Sequence, residues 1–237
     1  MSTQMWSNEE FTAQLRKVGE QFYHDKHPYH VSMHEGSLEP EQIRAWVANR
    51  YYYQKNIPVK DALILAKLPT REDRRRWLQR IIDHDGRQGD EGGIEAWIRL
   101  GEAVGIPREE MLDERHVLPA VRFAVDAYVN YCRLMPWYEA VASSLTELFS
   151  PGIIAKRMDV FEKLYPWIKP EGLTYFRNRL RQAPRDSEHG VELVISYARS
   201  LEDQQRAVAA LKFKCDVLWA ILDALMLAYP LKERVVR

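Results

Sequence analysis

The chain has 237 residues, 46% of them hydrophobic, enough to bury one sizeable core with no need for a second domain. Lys+Arg and Asp+Glu both number 34, so the net charge is near zero. Long-range attraction to nucleic acid or an anionic membrane is therefore not expected, and any positive potential must come from local placement of arginines.

In chain order, Ser7-Asn-Glu-Glu10 reads as a capping box opening a first helix. Pro40 sits where a first-turn proline belongs, ahead of Ile43, Trp46 and Val47 at helical spacing. Thr70 caps a helix that runs through Trp77, Ile81 and Ile82. Gly92-Gly93 precedes Ile94, Trp97, Ile98 and Leu100, and Gly105-Ile-Pro107 ends that run. Leu118-Pro119 starts a segment apolar on nearly every side, which predicts a helix at the centre of the fold. Pro136 and Pro151 divide the next stretch into two helices, and Pro166, Pro170 and Pro184 mark later boundaries. A last long helix runs from about Leu201 to Tyr229, with room for a break near its middle. There is no Asn-Gly hairpin turn and no sustained period-two alternation. The expectation is an all-α fold, one helical bundle over 1–237 with its core at about 8–230.

Cys132 and Cys215 lie far apart and outside any C-x-x-C, which suits a reducing compartment. The N-terminal MSTQMWSNEE has no basic start followed by an apolar run, and Val217 to Tyr229 is interrupted by Asp223 and too short to span a bilayer. A cytoplasmic protein is expected. Gly86 to Gly93 lacks a preceding strand and the Lys-Ser/Thr of a phosphate loop, so it reads as a helix connection. No G-x-S-x-G elbow supports Ser-His-Asp catalysis, and both cysteines fall in apolar helices where inert thiols belong.

Several polar residues fall where apolar ones would pack. Arg50 and Gln54, Arg80 and His84, and Tyr175 and Arg179 are each four apart, so each pair shares one helix face. Lys214 interrupts the stripe Leu211, Leu218, Ile221 and Leu225. Its ammonium is either buried, needing an anion or losing its charge, or carried to water on a stem lying over apolar surface. Glu147 follows Ala140, Ser143 and Ser144 on a small, polar stripe, which suits either a pocket wall or close helix packing with Glu147 paired to an arginine. His24, His27, His30 and His34 invite a metal reading, but Pro28 prevents one continuous helix from aligning them. Asp113-Glu-Arg-His116 and Asp186-Ser-Glu-His189 keep a carboxylate-bridged di-metal site open as an alternative.

Longer strings carry a resemblance. Tyr23-His24, His27-Pro-Tyr-His30, Trp46-Val-Ala-Asn-Arg50-Tyr-Tyr-Tyr-Gln54, Ile57-Pro-Val-Lys-Asp61, Asp83-His84-Asp-Gly86, Gly92-Gly-Ile-Glu-Ala-Trp97, Arg122-Phe-Ala-Val-Asp-Ala-Tyr128, Ser143-Ser-Leu-Thr-Glu-Leu-Phe149 and Phe213-Lys214 together resemble the pyrroloquinoline quinone synthase family from about Phe11 to Tyr229. The resemblance implies a heme-oxygenase-like helical fold and a homodimer. It implies the final step of quinone cofactor synthesis: a bicyclic ortho-quinone precursor bearing several carboxylates is ring-closed and oxidised by eight electrons. Molecular oxygen is the co-substrate, hydrogen peroxide is released, and no metal or organic cofactor is used.

Carried over by position, His84 resembles the family's general base. Arg50, Arg80, Arg179 and Lys214 resemble its carboxylate-binding and charge-stabilising residues. Tyr23, His24, Gln54, Tyr128, Thr146, Glu147, Arg157 and Tyr175 resemble other pocket members, with His24, Tyr175 and Arg179 joining His84 as catalytic groups. Ile154 departs from the pattern, standing where family members carry a histidine at the oxygen site. Arg80, on the face of His84, is expected to disfavour imidazolium. The rival readings are a metal-dependent oxygenase, a thiaminase-like enzyme using a thiol, and a non-catalytic binding module, all on the same scaffold.

Overall fold

A computed structural model describes residues 4–231; residues 1–3 and 232–237 of the expected domain lie outside the described residues. Helix α1 (Asn8–Phe22) opens on the expected capping box. The Ser7 hydroxyl accepts from the Glu10 amide at 3.2 Å and the Glu10 carboxylate accepts from the Ser7 amide at 2.8 Å. Two amide donors at the helix start are thereby satisfied. Helix α2 (Pro28–His34) has Pro28 in its first turn and His27 as its cap, with the ring Nδ1 accepting from the Tyr29 amide at 3.1 Å. Pro28 therefore starts a helix as well as interrupting one. The single turn His24–Lys26 precedes it, and the ring centres of His24 and His30 lie 4.7 Å apart and those of His30 and His34 6.0 Å apart.

Helix α3 (Pro40–Leu65) is the true centre. Trp46, Val47, Asn49, Tyr53, Gln54 and Lys60 are all buried on it. It packs against α4 (Arg71–Asp85), α5 (Gly92–Ala103) and α7 (Pro119–Leu134). The sequence predicted α7 for that role, and the structure corrects this. Val121, Val125, Tyr128 and Cys132 face α3 and the last helix, while Phe123 is 79% and Leu134 75% exposed. Uniform apolarity marks a buried helix only when neighbours cover every side; α3 and the helices over Trp137–Ser143 and Leu201–Ala228 pack on α7 but leave the face of Phe123 and Leu134 open.

Between α5 and α7 lies the short α6 (Arg108–Leu112). Next come α8 (Trp137–Ser143), a 3-10 turn Ser144–Leu148, and α9 (Ser150–Leu164). The expected divisions at Pro136 and Pro151 hold. Pro184 does not end a helix; it lies inside α10 (Thr174–Tyr197). Packing of α10 against α5, α8 and α9 outweighs the one backbone hydrogen bond a proline removes. Helix α11 (Leu201–Ala228) runs without the expected break, since Leu211, Lys214, Cys215 and Leu218 all stay buried along one line. No helix among the described residues is long and apolar enough to cross a membrane.

The Gly86–Gly93 stretch is a helix connection, as expected. Gly86 and Gly92 have φ of +85° and +77°, a region that disfavours side chains. A Cβ on Gly92 would stand 2.4 Å from the Gly86 nitrogen and 2.6 Å from the His84 carbonyl oxygen. Only glycine lets this turn fold directly onto the end of α4, and so it fixes where His84 sits.

Candidate active site

The inner face of α3 carries Trp46, Arg50, Tyr53, Ile57 and Lys60 at alternating spacings of four and three, so these side chains share one stripe. That stripe lines a hollow closed by Tyr23 and His24, by His84 at the end of α4, and by Tyr128, Thr146 and Glu147. Helix α9 contributes Ile154 and Arg157, and α10 contributes Tyr175 and Arg179. The hollow takes in about 760 Å³ of non-atom space, open solvent at its mouth included.

Eleven of the thirteen expected site residues line it: Tyr23, His24, Arg50, Gln54, His84, Tyr128, Thr146, Glu147, Arg157, Tyr175 and Arg179. Arg80 and Lys214 stand one layer behind. Arg80 lies over the Trp77 ring at 4.1 Å, donates to Glu147 at 2.5 Å and also donates to the Asp186 carbonyl. Lys214 is 1% exposed, donates to the Tyr53 hydroxyl at 2.6 Å and sits 3.5 Å from the centre of the Tyr128 ring. Its head is therefore buried and does not reach water. Sequence reasoning missed Tyr53 and Lys60. Lys60 is buried, 2.7 Å from Asp61 and bonded to Ser144 at 2.9 Å. The signal was present, because both continue the spacing that marked Arg50.

The cations divide into two groups. Arg80 and Arg179 share Glu147, and Arg179 also meets Asp186 at 3.2 Å. Glu147 is thus both a pocket wall and an ion-pair partner; of the rest of its stripe, Ser144 lines the hollow while Ala140 and Ser143 are buried off it. Against its burial, Asp186 is held below the usual carboxylate range by Arg80 and Arg179. Arg50, Arg157 and Lys214, in contrast, have no carboxylate partner among the described residues. Arg50 lies 3.9 Å over the Tyr53 ring and Arg157 4.8 Å over Trp46. Burial, then repulsion from Arg50, lowers Arg157 to about 10. Burial, Arg50 and Lys60 likewise push Lys214 well below the ordinary lysine range. Aromatic faces recover part of the lost hydration, but an excess of positive potential remains in the hollow.

His84 is set up as an acceptor. Its Nδ1 is 3.0 Å from the Arg80 carbonyl oxygen, which can only accept, so the ring proton is on Nδ1. The bare Nε2 is buried and has no partner among the described residues. Burial and the Arg179 charge lower His84 to about 4, so it is neutral near neutrality. The expectation that Arg80 does this is corrected: the Arg80 carbonyl favours the imidazolium, and Arg179 is the opposing charge. Tyr175 donates to Gln54 Oε1 at 2.9 Å, so Tyr175 and Arg179 sit one helical turn apart at the same wall.

The other motifs fall elsewhere. His116 is at the surface, 2.6 Å from Glu110, while His189 is buried beside Trp77. The two carboxylate-x-x-His sequences therefore do not converge, and no group of three His, Cys, Asp or Glu among the described residues is arranged to hold a metal ion. Cys132 and Cys215 are buried off the hollow, and burial raises both thiols, Cys215 to about 12. A thiol nucleophile is not available at this site in the form a thiaminase-like reaction needs.

An all-helical protein closing helices around such a hollow has the heme-oxygenase-like architecture. A Shewanella denitrificans domain of unknown function with that fold superposes with a TM-score of 0.72, covering 93% of this chain and 90% of its own at 15% identity. A TenA homologue from Pseudomonas syringae pv. tomato gives 0.70, covering 92% of each chain, also at 15% identity. The chain belongs to the TENA/THI-4/PQQC family, which it matches over residues 12–224. Within it, proteins named pyrroloquinoline-quinone synthase are much more similar. That of Klebsiella pneumoniae subsp. pneumoniae is 56% identical over 231 residues, covering 98% of this chain and 92% of the relative. That of Acinetobacter baylyi is 54% identical over 233 residues, with 98% and 91% covered.

Proposed function

We propose that this protein is an enzyme of pyrroloquinoline quinone biosynthesis that closes the second nitrogen ring of a polycarboxylate bicyclic quinone precursor and oxidises it by eight electrons. The observation that carries the reading is the pairing, in one hollow, of a bare His84 Nε2 with cations that lack carboxylate partners. A substrate with several carboxylates supplies the anions that Arg50 and Arg157 lack in the hollow, and its charge favours the ammonium form of Lys214 behind the Tyr53 and Tyr128 wall. Arginine can hold each carboxylate through two parallel hydrogen bonds. Binding removes their mutual repulsion, so it is expected to be tight and to weaken with salt.

Ring closure and desaturation both take protons from the substrate. A neutral imidazole with its lone pair aimed at the ligand serves as that base. Electrons leave through the reduced ring to molecular oxygen, and hydrogen peroxide is released. Tyr175 and Arg179 supply donors for negative charge on reduced oxygen; Ile154, which lines the hollow, can supply none. The reading includes no metal or organic cofactor, a homodimer and a cytoplasmic site of action.

The test is incubation of purified, metal-stripped protein with the precursor in air, following quinone absorbance and peroxide. Catalytic formation of both supports the reading. Tight quinone binding without turnover of precursor would make the protein a binding module, and a strict requirement for added iron would make it a metal-dependent oxygenase.

A further inference from the structure

His30 is buried behind the hollow and is not part of its lining. Its surroundings leave its ring one arrangement of protons. On one side, Arg157 Nη2 is 3.4 Å from His30 Nε2. A guanidinium can only donate, so Nε2 must accept. On the other side, His30 Nδ1 is 3.1 Å from the His24 carbonyl oxygen. A carbonyl can only accept, so Nδ1 must carry the proton. The two contacts, on opposite ring atoms, demand the same tautomer.

The same Nδ1 is 2.8 Å from His24 Nδ1. Since His30 brings a proton to that contact, His24 Nδ1 must accept it. The single proton of a neutral His24 then lies on Nε2. Burial and the neighbouring charges of Arg50 and Arg157 hold His24 well below the ordinary histidine range, so the neutral form is the relevant one. The His30 ring is itself fixed by the His34 ring at 6.0 Å and the Trp46 ring at 6.1 Å.

We infer that His30 is a positioning residue that locks His24, a lining residue of the hollow, as an Nε2–H hydrogen-bond donor. The hollow thus contains two neutral histidines of opposite hand. His84 carries its proton on Nδ1 and offers a lone pair; His24 carries its proton on Nε2 and offers a hydrogen bond. A ligand oxygen, whether quinone or carboxylate, fits against His24, and a departing proton fits His84. The assignment of ligand chemistry rests on the function proposed above, but the tautomer assignment does not.

The experiment is long-range ¹⁵N–¹H correlation on protein labelled at histidine, at neutral pH and without ligand. Wild type is expected to show His24 as Nε2–H and both His30 and His84 as Nδ1–H. In His30→Leu, His24 is expected to become a mixture of tautomers, and precursor turnover to fall about tenfold, the scale of one lost hydrogen bond. In His30→Asn, whose amide can replace the Nδ1 donor, the His24 signature and most of the rate are expected to return. A wild-type His24 bearing its proton on Nδ1 would overturn the inference. So would a His30→Leu protein with an unchanged His24 spectrum. Wild-type protein with the expected tautomers but no turnover would sink the proposed function and leave the positioning role standing.

Discussion

The Lys214 ammonium donates to the Tyr53 hydroxyl at 2.6 Å, and both groups lie inside the protein where no carboxylate answers the charge. This relationship ties stability and ligand affinity together with opposite signs. Replacing Lys214 by Met removes a buried amine whose charge no counter-ion stabilises and is expected to raise the stability of the ligand-free protein by about 1 kcal/mol or more. The same change is expected to weaken quinone binding at low salt by roughly 10-fold, through loss of a positive charge acting across the Tyr53 and Tyr128 wall. Denaturant unfolding and quinone titration measure the two effects. Unchanged affinity at low salt would show that Lys214 takes no part in binding.

His84 is expected to carry the proton-transfer chemistry. His84→Ala should lower the rate of quinone formation by at least about 100-fold, while product affinity changes little because the cations remain. Single-turnover absorbance with saturating precursor checks this, and a wild-type rate in the variant would refute the base assignment.

Glu147 joins Arg80 to Arg179. In Glu147→Gln these two buried guanidinium groups lose their shared countercharge. The expected cost is about 3 kcal/mol of stability, read as a lower urea midpoint with an unchanged slope. A midpoint equal to wild type would mean that Asp186 alone suffices for both.

The acid response follows from the buried histidines. His84 and His189 are lowered to about 4 and His34 to about 3, burial being the main cause in each. An unfolded chain protonates these groups near 6.5, whereas the folded protein resists until pH 4 or below. Between those limits the unfolded state binds more protons, so stability is fully present above about pH 6.5 and is lost as pH falls through this window. The expected slope is up to about 1.4 kcal/mol per pH unit for each group. Urea unfolding of ligand-free protein from pH 7.5 to 4.5 tests it, and a flat profile would contradict the buried, neutral rings.

How much of this was legible beforehand depends on whether the cause is local. Capping at Ser7, helix starts at Pro40 and Pro119 and the glycine turn after His84 depend on neighbours within a few residues, so spacing revealed them. The shared faces of Arg50 with Gln54 and Arg80 with His84 are likewise a matter of helical pitch. Tyr53 and Lys60 were legible on the same ground and were overlooked. Pro184 misled because a proline's effect on a helix depends on what packs around it. The exposure of Phe123 was hidden because composition alone does not say how many neighbours a helix has.

The sequence by itself determined the helical elements, the family resemblance and the set of polar groups placed where hydrocarbon would pack, because these follow from short-range pattern. Only the tertiary structure decided which cations are already neutralised and which are not. It also decided that Arg80 and Lys214 stand behind the wall, and that His24 and His84 hold their protons on opposite nitrogens. Those outcomes hang on contacts between residues far apart in the chain: Arg80 with Glu147, Lys214 with Tyr53, and His30 with Arg157. A hydrogen bond or charge pair falls off within a few ångströms, so its partner is unknown until the chain has folded.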